Sequence, residues 1–106
     1  MSETANVTAP IVAALEKAGY FVLRLNAGTA KRGKYYIKLC PEGTADILLC
    51  PPHRAPIWIE TKTEDGSTKP KRAAKQAEFA YSVEAIGHMY IKATSLKDVL
   101  EALNGR

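Results

Sequence analysis

The stretch GTADILLCPPHRAPIWIETKT, residues 43–63, decides the fold. Two apolar runs, ADILLC (45–50) and IWIETK (57–62), flank PPHRAP, a connection of common hairpin length. Both are rich in branched residues and read as strands. If they pair antiparallel with Cys50 opposite Pro56, Asp46 falls opposite Glu60. A slip of two residues sets Asp46 opposite Lys62 instead. Side chains alternate with period two, so in either register Asp46, Glu60 and Lys62 share one face. Ile47, Leu48 and Leu49, with Ile57, Trp58 and Ile59, put apolar groups on both faces, which marks the strands as central. Charges at the ends of central strands are costly unless they are paired or used.

Working outward, VTAPIVAALEKA (7–18) reads as a helix. Thr8 is a candidate cap, Pro10 suits the first turn, and Ile11, Val12, Leu15 and Ala18 form an apolar stripe ending at Gly19. YFVLRL (20–25) and YYIKLC (35–40) are further strands, separated by NAGTAKRGK, which reads as a polar loop. After the hairpin, the loop EDGSTKP leads to a long helix over 70–86, a strand HMYIKA (88–93) and a last helix over 95–103. Ser95 and Asp98 give that last helix a capping-box-like start. The order is helix, four strands, helix, strand, helix. The late strand–helix–strand crossover implies a parallel pair. The expected class is α/β or α+β, one domain over 1–106 with a central mixed sheet flanked by helices.

The bulk properties set limits on function. A chain of 106 residues with 46% hydrophobic and 25% charged residues is an ordinary globular composition. Fifteen basic residues against 11 acidic ones give a net charge of +4, which permits a polyanionic partner without requiring one. No apolar run reaches membrane-spanning length, and MSETANVTAP carries no basic region followed by an apolar core. A cytoplasmic protein with reduced thiols and no membrane partner is expected. Cys40, Cys50, His53 and His88 do not have the spacing of a zinc knuckle. The two cysteines read as small apolar residues, and His53 as a surface residue of the hairpin turn.

Directly opposed strand residues lie ~4.5–5.5 Å apart at Cβ, so two carboxylates there repel unless something positive lies between them. A divalent cation resolves that conflict. Mg²⁺ is held by one or two carboxylates with waters and substrate phosphate, and the Thr61 carbonyl offers a further oxygen. Lys62, on the same face, suits the orientation of a water or the offset of charge on a phosphate. Gln76 lies three residues before Phe79 on the stripe continued by Val83 and Ile86, and so faces the sheet near the start of the long helix. Glu16 borders the first helix's apolar stripe and by spacing alone reads as a surface acid. Two basic clusters flank the acidic pair in sequence. One is Arg24, Lys31, Arg32, Lys34 and Lys38; the other is Lys69, Lys71, Arg72 and Lys75, at a helix N-terminus suited to phosphate. Tyr35 and Tyr36 read as half core and half surface.

The combination GTAD, 13 residues, ETK resembles the PD-(D/E)XK nuclease superfamily. More narrowly, the chain resembles a stand-alone virus-type replication-repair nuclease (VRR-NUC) domain. The likeness is carried by RLNAG (24–28), GTAD (43–46), IETKTEDG (59–66), KQAEF (75–79) and IGHMYIKATSLKDV (86–99), and it runs from about residue 10 to 103. It implies an αβββαβ core and Mg²⁺- or Mn²⁺-dependent hydrolysis of DNA phosphodiesters. Asp46 and Glu60 would be metal ligands, Lys62 the catalytic lysine, Gln76 the glutamine of the following helix, and Glu16 a first-helix carboxylate completing the site. Stand-alone members are similar to homodimeric Holliday-junction resolvases of phages and viruses. Branched DNA, a second copy of the chain and a bacterial host's cytoplasm are therefore the expected partners and setting, with flap cleavage or non-catalytic DNA binding as alternatives. The chain departs from the family pattern at Ala45, where proline is frequent.

Overall fold

The computed structural model describes residues 7–63 and 68–105, so part of the EDGSTKP loop and the first six residues lie outside the description. Among the described residues nine elements follow in order: α1 (Ala9–Lys17), β1 (Phe21–Arg24), β2 (Thr29–Arg32), β3 (Tyr35–Lys38), β4 (Ile47–Cys50), β5 (Ile57–Thr61), α2 (Pro70–Ala85), β6 (Met89–Ala93) and α3 (Leu96–Asn104). The fold is mixed α and β, with three helices and a mixed four-stranded sheet in the order β1-β4-β5-β6. β1, β4 and β5 are antiparallel neighbours, and β6 joins β5 in parallel through the α2 crossover.

The sheet separates two unlike layers. Ile47, Leu49, Ile57 and Ile59 point to one face and are fully buried. They meet Ile11 and Leu15 of α1, a pair at i and i+4, and Val99 of α3. The opposite face carries Trp58 and Tyr90, against which α2 packs through Phe79. The Trp58 and Phe79 rings meet edge to face at 5.1 Å, and Trp58 Nε1 donates to His88 Nδ1 at 3.0 Å. Only Gln76 and Val83 of α2 are buried, so the helix rests on the sheet by a narrow stripe.

Several expectations change at this level. NAGTAKRGK is not a loop: Thr29–Arg32 pairs with Tyr35–Lys38 across a two-residue turn whose Gly33 has φ +61°. This β2–β3 ribbon forms its own two-stranded sheet, and YYIKLC does not join the central one. Consequently Tyr35 and Tyr36 are both exposed rather than half buried. Backbone bonds from Gly28 to Cys40 and from Cys40 to Asn26 clamp the ribbon at its base. Thr8 does not cap α1, because its hydroxyl is engaged elsewhere. At α3 the Asp98 carboxylate accepts from the Thr94 amide at 2.8 Å and from the Thr94 hydroxyl, and the Ser95 side chain makes no cap bond. Those bonds hold the Asp98 carboxyl below its usual range.

Gly43 marks a close backbone approach beside the acidic pair. Its φ is +91°, and a Cβ there would collide with the Lys75 carbonyl oxygen of α2. The turn before Asp46 is therefore pressed directly against the helix residue preceding Gln76. Gly43→Ala is expected to destabilise the chain by roughly 2–5 kcal/mol, from positive φ and overpacking together. Gly33→Ala, with φ +61° but open space around it, should cost only about 1 kcal/mol. Urea denaturation of both variants checks the difference; equal losses would show that the Gly43 approach to α2 is not a packing constraint.

Candidate functional site

β4 and β5 pair with Ile47 opposite Ile59, Leu48 opposite Trp58 and Leu49 opposite Ile57. This is the first of the two registers open to the sequence, and it sets Asp46 opposite Glu60. One step further it would set Ala45 opposite Thr61, but the ladder ends there. The Thr61 amide donates to Asp46 Oδ2 at 2.9 Å instead, and the Thr61 hydroxyl donates to the same oxygen at 2.8 Å. The Thr8 hydroxyl lies 2.6 Å from the Thr61 hydroxyl. Since Thr61 directs its proton to Asp46, Thr8 is the donor in that pair, and a chain Thr8–Thr61–Asp46 pins one carboxylate oxygen. An extended residue sends its N–H and C=O to the same edge, so the Thr61 carbonyl leaves the strand on the Asp46 side.

Glu60 is 1% exposed. Gln76 Nε2 donates to Glu60 Oε2 at 3.1 Å, and Lys62 Nζ donates to Gln76 Oε1 at 2.9 Å and to Thr68 Oγ1 at 2.7 Å. Gln76 thus bridges acid and ammonium, and those two neighbours dictate its amide orientation. Glu60 Oε1 is buried with no hydrogen-bond partner. Burial first, then the charge of Asp46, push Glu60 up to about 8. Lys62 and Arg72 act against that rise. Two carboxyl groups so placed share either a proton or a cation.

The pair opens into a cleft of about 400 Å³, bordered by Arg32 from the ribbon and by Arg72 and Gln76 from α2. A second cleft adjoins it through Ala27, Gly43 and Arg72 and is lined by Lys69, Lys71 and Lys75. One residue of each basic cluster of the sequence, Arg32 and Arg72, therefore borders the cleft of the acidic pair. Arg24, Lys31 and Lys34 are exposed, and the last two lie on the ribbon or its turn.

Glu16 is not brought to the cluster. It is exposed near the C-terminal end of α1, whereas the opposite end of that helix reaches the site through Thr8. Eight residues of helix separate the two by about 12 Å along the axis. Among the described residues no group of three or more His, Cys, Asp or Glu side chains gathers in a metal-binding arrangement, so Asp46 and Glu60 stand as a pair. The sequence gives no sign of the parts played by Thr8 and the Thr61 hydroxyl; a buried threonine facing a strand end reads as a helix cap when only local spacing is visible. Among the described residues no helix is long and apolar enough to cross a membrane.

A carboxyl raised from 4.5 to about 8 on folding keeps a proton that the unfolded chain releases. Its contribution to stability therefore falls as pH rises from about 4.5 to about 8. In chelator, the melting temperature should decline across that window, and Glu60→Gln should flatten the profile. At pH 8.5 the variant should exceed the wild type by on the order of 2–4 kcal/mol. Superimposable profiles for the two proteins would contradict this assignment. Comparison of the chain with family models, with curated proteins and with solved structures finds no match, so function has to be read from these residues and their geometry.

Proposed function

We propose that the protein is a divalent-cation-dependent endonuclease with a PD-(D/E)XK core, acting on branched DNA from the cytoplasm of a bacterial host. The observation that carries this reading is a buried Glu60 whose Oε1 has no hydrogen-bond partner, close enough to Asp46 to feel its charge. Burying an acid without a partner costs several kcal/mol unless a proton or cation is supplied. The donor set suits Mg²⁺ or Mn²⁺: two carboxylates and the Thr61 carbonyl are hard oxygen ligands, and such ions are commonly held by one or two carboxylates with water completing the shell. If the ribbon is treated as an insertion, the order α1, β1, β4, β5, α2, β6 also fits the αβββαβ core.

A cation bound there supplies Lewis acidity toward a phosphate and lowers the pKa of a water. The chain's own residues do the remaining work. Asp46 is immobilised by Thr61 and Thr8, so its free oxygen is aimed rather than averaged over rotamers. Gln76 holds Glu60 and Lys62 at fixed separation and keeps the ammonium beside the acid pair, where it offsets the charge that builds on an attacked phosphate. Arg72 and Arg32, on the two sides of the cleft, suit the flanking phosphates, and the lysines of α2 extend that track. One subunit offers one such site, so paired cutting of a four-way junction calls for a symmetric homodimer.

The test is cleavage of a synthetic four-way junction, a flap and a linear duplex at fixed salt, with Mg²⁺, Mn²⁺ or chelator. Metal-dependent cutting that favours the junction is expected, with at least ~100-fold loss for Asp46→Asn. Preference for the flap or the duplex would keep the nuclease and overturn the junction assignment. Binding without cutting by either protein would leave a DNA-binding module of the same fold.

A further inference from the structure

The β2–β3 ribbon does no work for the core. It pairs only with itself, and of its eight strand residues only Ala30 is not exposed. Yet it carries Tyr35 at 75% exposure, Tyr36 at 71% and the exposed Ile37, which solvent does not favour on an isolated two-stranded ribbon. The register explains their arrangement. Lys31 lies opposite Tyr36 and Arg32 opposite Tyr35. Opposed residues share a face, so each side of the ribbon presents one ring beside one cation. Lys34 and Lys38 add charge, and no acidic residue occurs between Arg24 and Pro41.

The two faces are placed differently. Ala30 and Arg32 line the cleft that holds Asp46 and Glu60, so the face bearing Tyr35 is the one turned toward that cleft. Tyr36 and Lys31 lie on the other. An aromatic ring beside a cation, repeated on both faces of a projecting ribbon, is the arrangement that stacks unpaired bases while neutralising their phosphates. Paired bases in a duplex do not present their planes to such rings.

We propose that the ribbon is a binding arm for single-stranded DNA, with Tyr35 stacking a base next to the cleft and Tyr36 a base on the outer face. The anionic nature of the partner follows from charge, since the arm is wholly cationic; its single-stranded character follows from the rings. This inference rests on the nuclease reading and deepens it, because a branch that carries a single-stranded segment exposes unpaired bases, which a continuous duplex does not.

The test is fluorescence anisotropy with a labelled 20-mer oligothymidylate and a labelled 20-base-pair duplex, in chelator so that nothing is cut. Tyr35→Ala/Tyr36→Ala is expected to lose roughly 10- to 100-fold in affinity for oligothymidylate, with little change on the duplex. Tyr35→Phe/Tyr36→Phe should retain wild-type affinity, since stacking needs the ring and not the hydroxyl. Lys31→Gln/Lys34→Gln should weaken both probes and reduce the salt slope on the single strand by about 0.7 for each phosphate that is no longer neutralised. Unchanged binding of oligothymidylate by the double alanine variant, or an equal loss on duplex, overturns the proposal. Melting curves matching the wild type exclude misfolding. Binding through the rings by a chain that cuts nothing would sink the nuclease reading alone; metal-dependent cutting by a chain whose rings are irrelevant would sink the binding arm alone.

Discussion

The register of β4 against β5 is the constraint on which the rest depends. Ile47, Leu49, Ile57 and Ile59 are all fully buried on one face, and a one-residue slip would turn that set toward α2. The core thus locks the pairing, and the locked pairing places Asp46 opposite Glu60 where the two strands end. The same hydrophobic energy that closes the core holds two acids against each other. Neither acid can relax away: Thr61 and Thr8 fix one from the α1 side, and Gln76 fixes the other from α2.

The proposed function rests on that imposed conflict. A buried acid raised to about 8 holds its proton at neutral pH, and on the proposed reading a divalent cation takes that proton's place. The surroundings are arranged accordingly. Gly43 lets the turn before Asp46 touch the backbone of Lys75, which brings the basic start of α2 to the edge of the cleft. The ribbon supplies Arg32 from the other side. Acidic centre and basic rim together are what the proposed handling of a polyanion rests on.

Much of the central site is legible in the sequence because strand periodicity is strict. Charged residues spaced by two at the ends of apolar runs can only share a face, and the buried hairpin leaves few registers. Gln76 is legible for a similar reason, as a polar residue on the α2 stripe with Phe79 and Val83. The ribbon is not. TAKR has no apolar alternation, and its pairing is set by Gly33 and by the clamp at Cys40 rather than by burial. Tyr35 and Tyr36 mislead in the same way, since aromatic strand residues are usually half buried. Glu16 fails because helix periodicity gives a face but not a height along the axis. Thr8 reaches the site where Glu16 does not because it sits at the end of α1 that meets the β5 terminus, a tertiary fact absent from local spacing.

The most direct measurement is calorimetric titration of MnCl₂ into the wild type, Asp46→Asn and Glu60→Gln at pH 7.5. Saturable binding to the wild type is expected, weakening roughly tenfold or more when either carboxylate becomes an amide. Absence of binding, or binding that survives both substitutions unchanged, would contradict the claim that the opposed acids form a cation site.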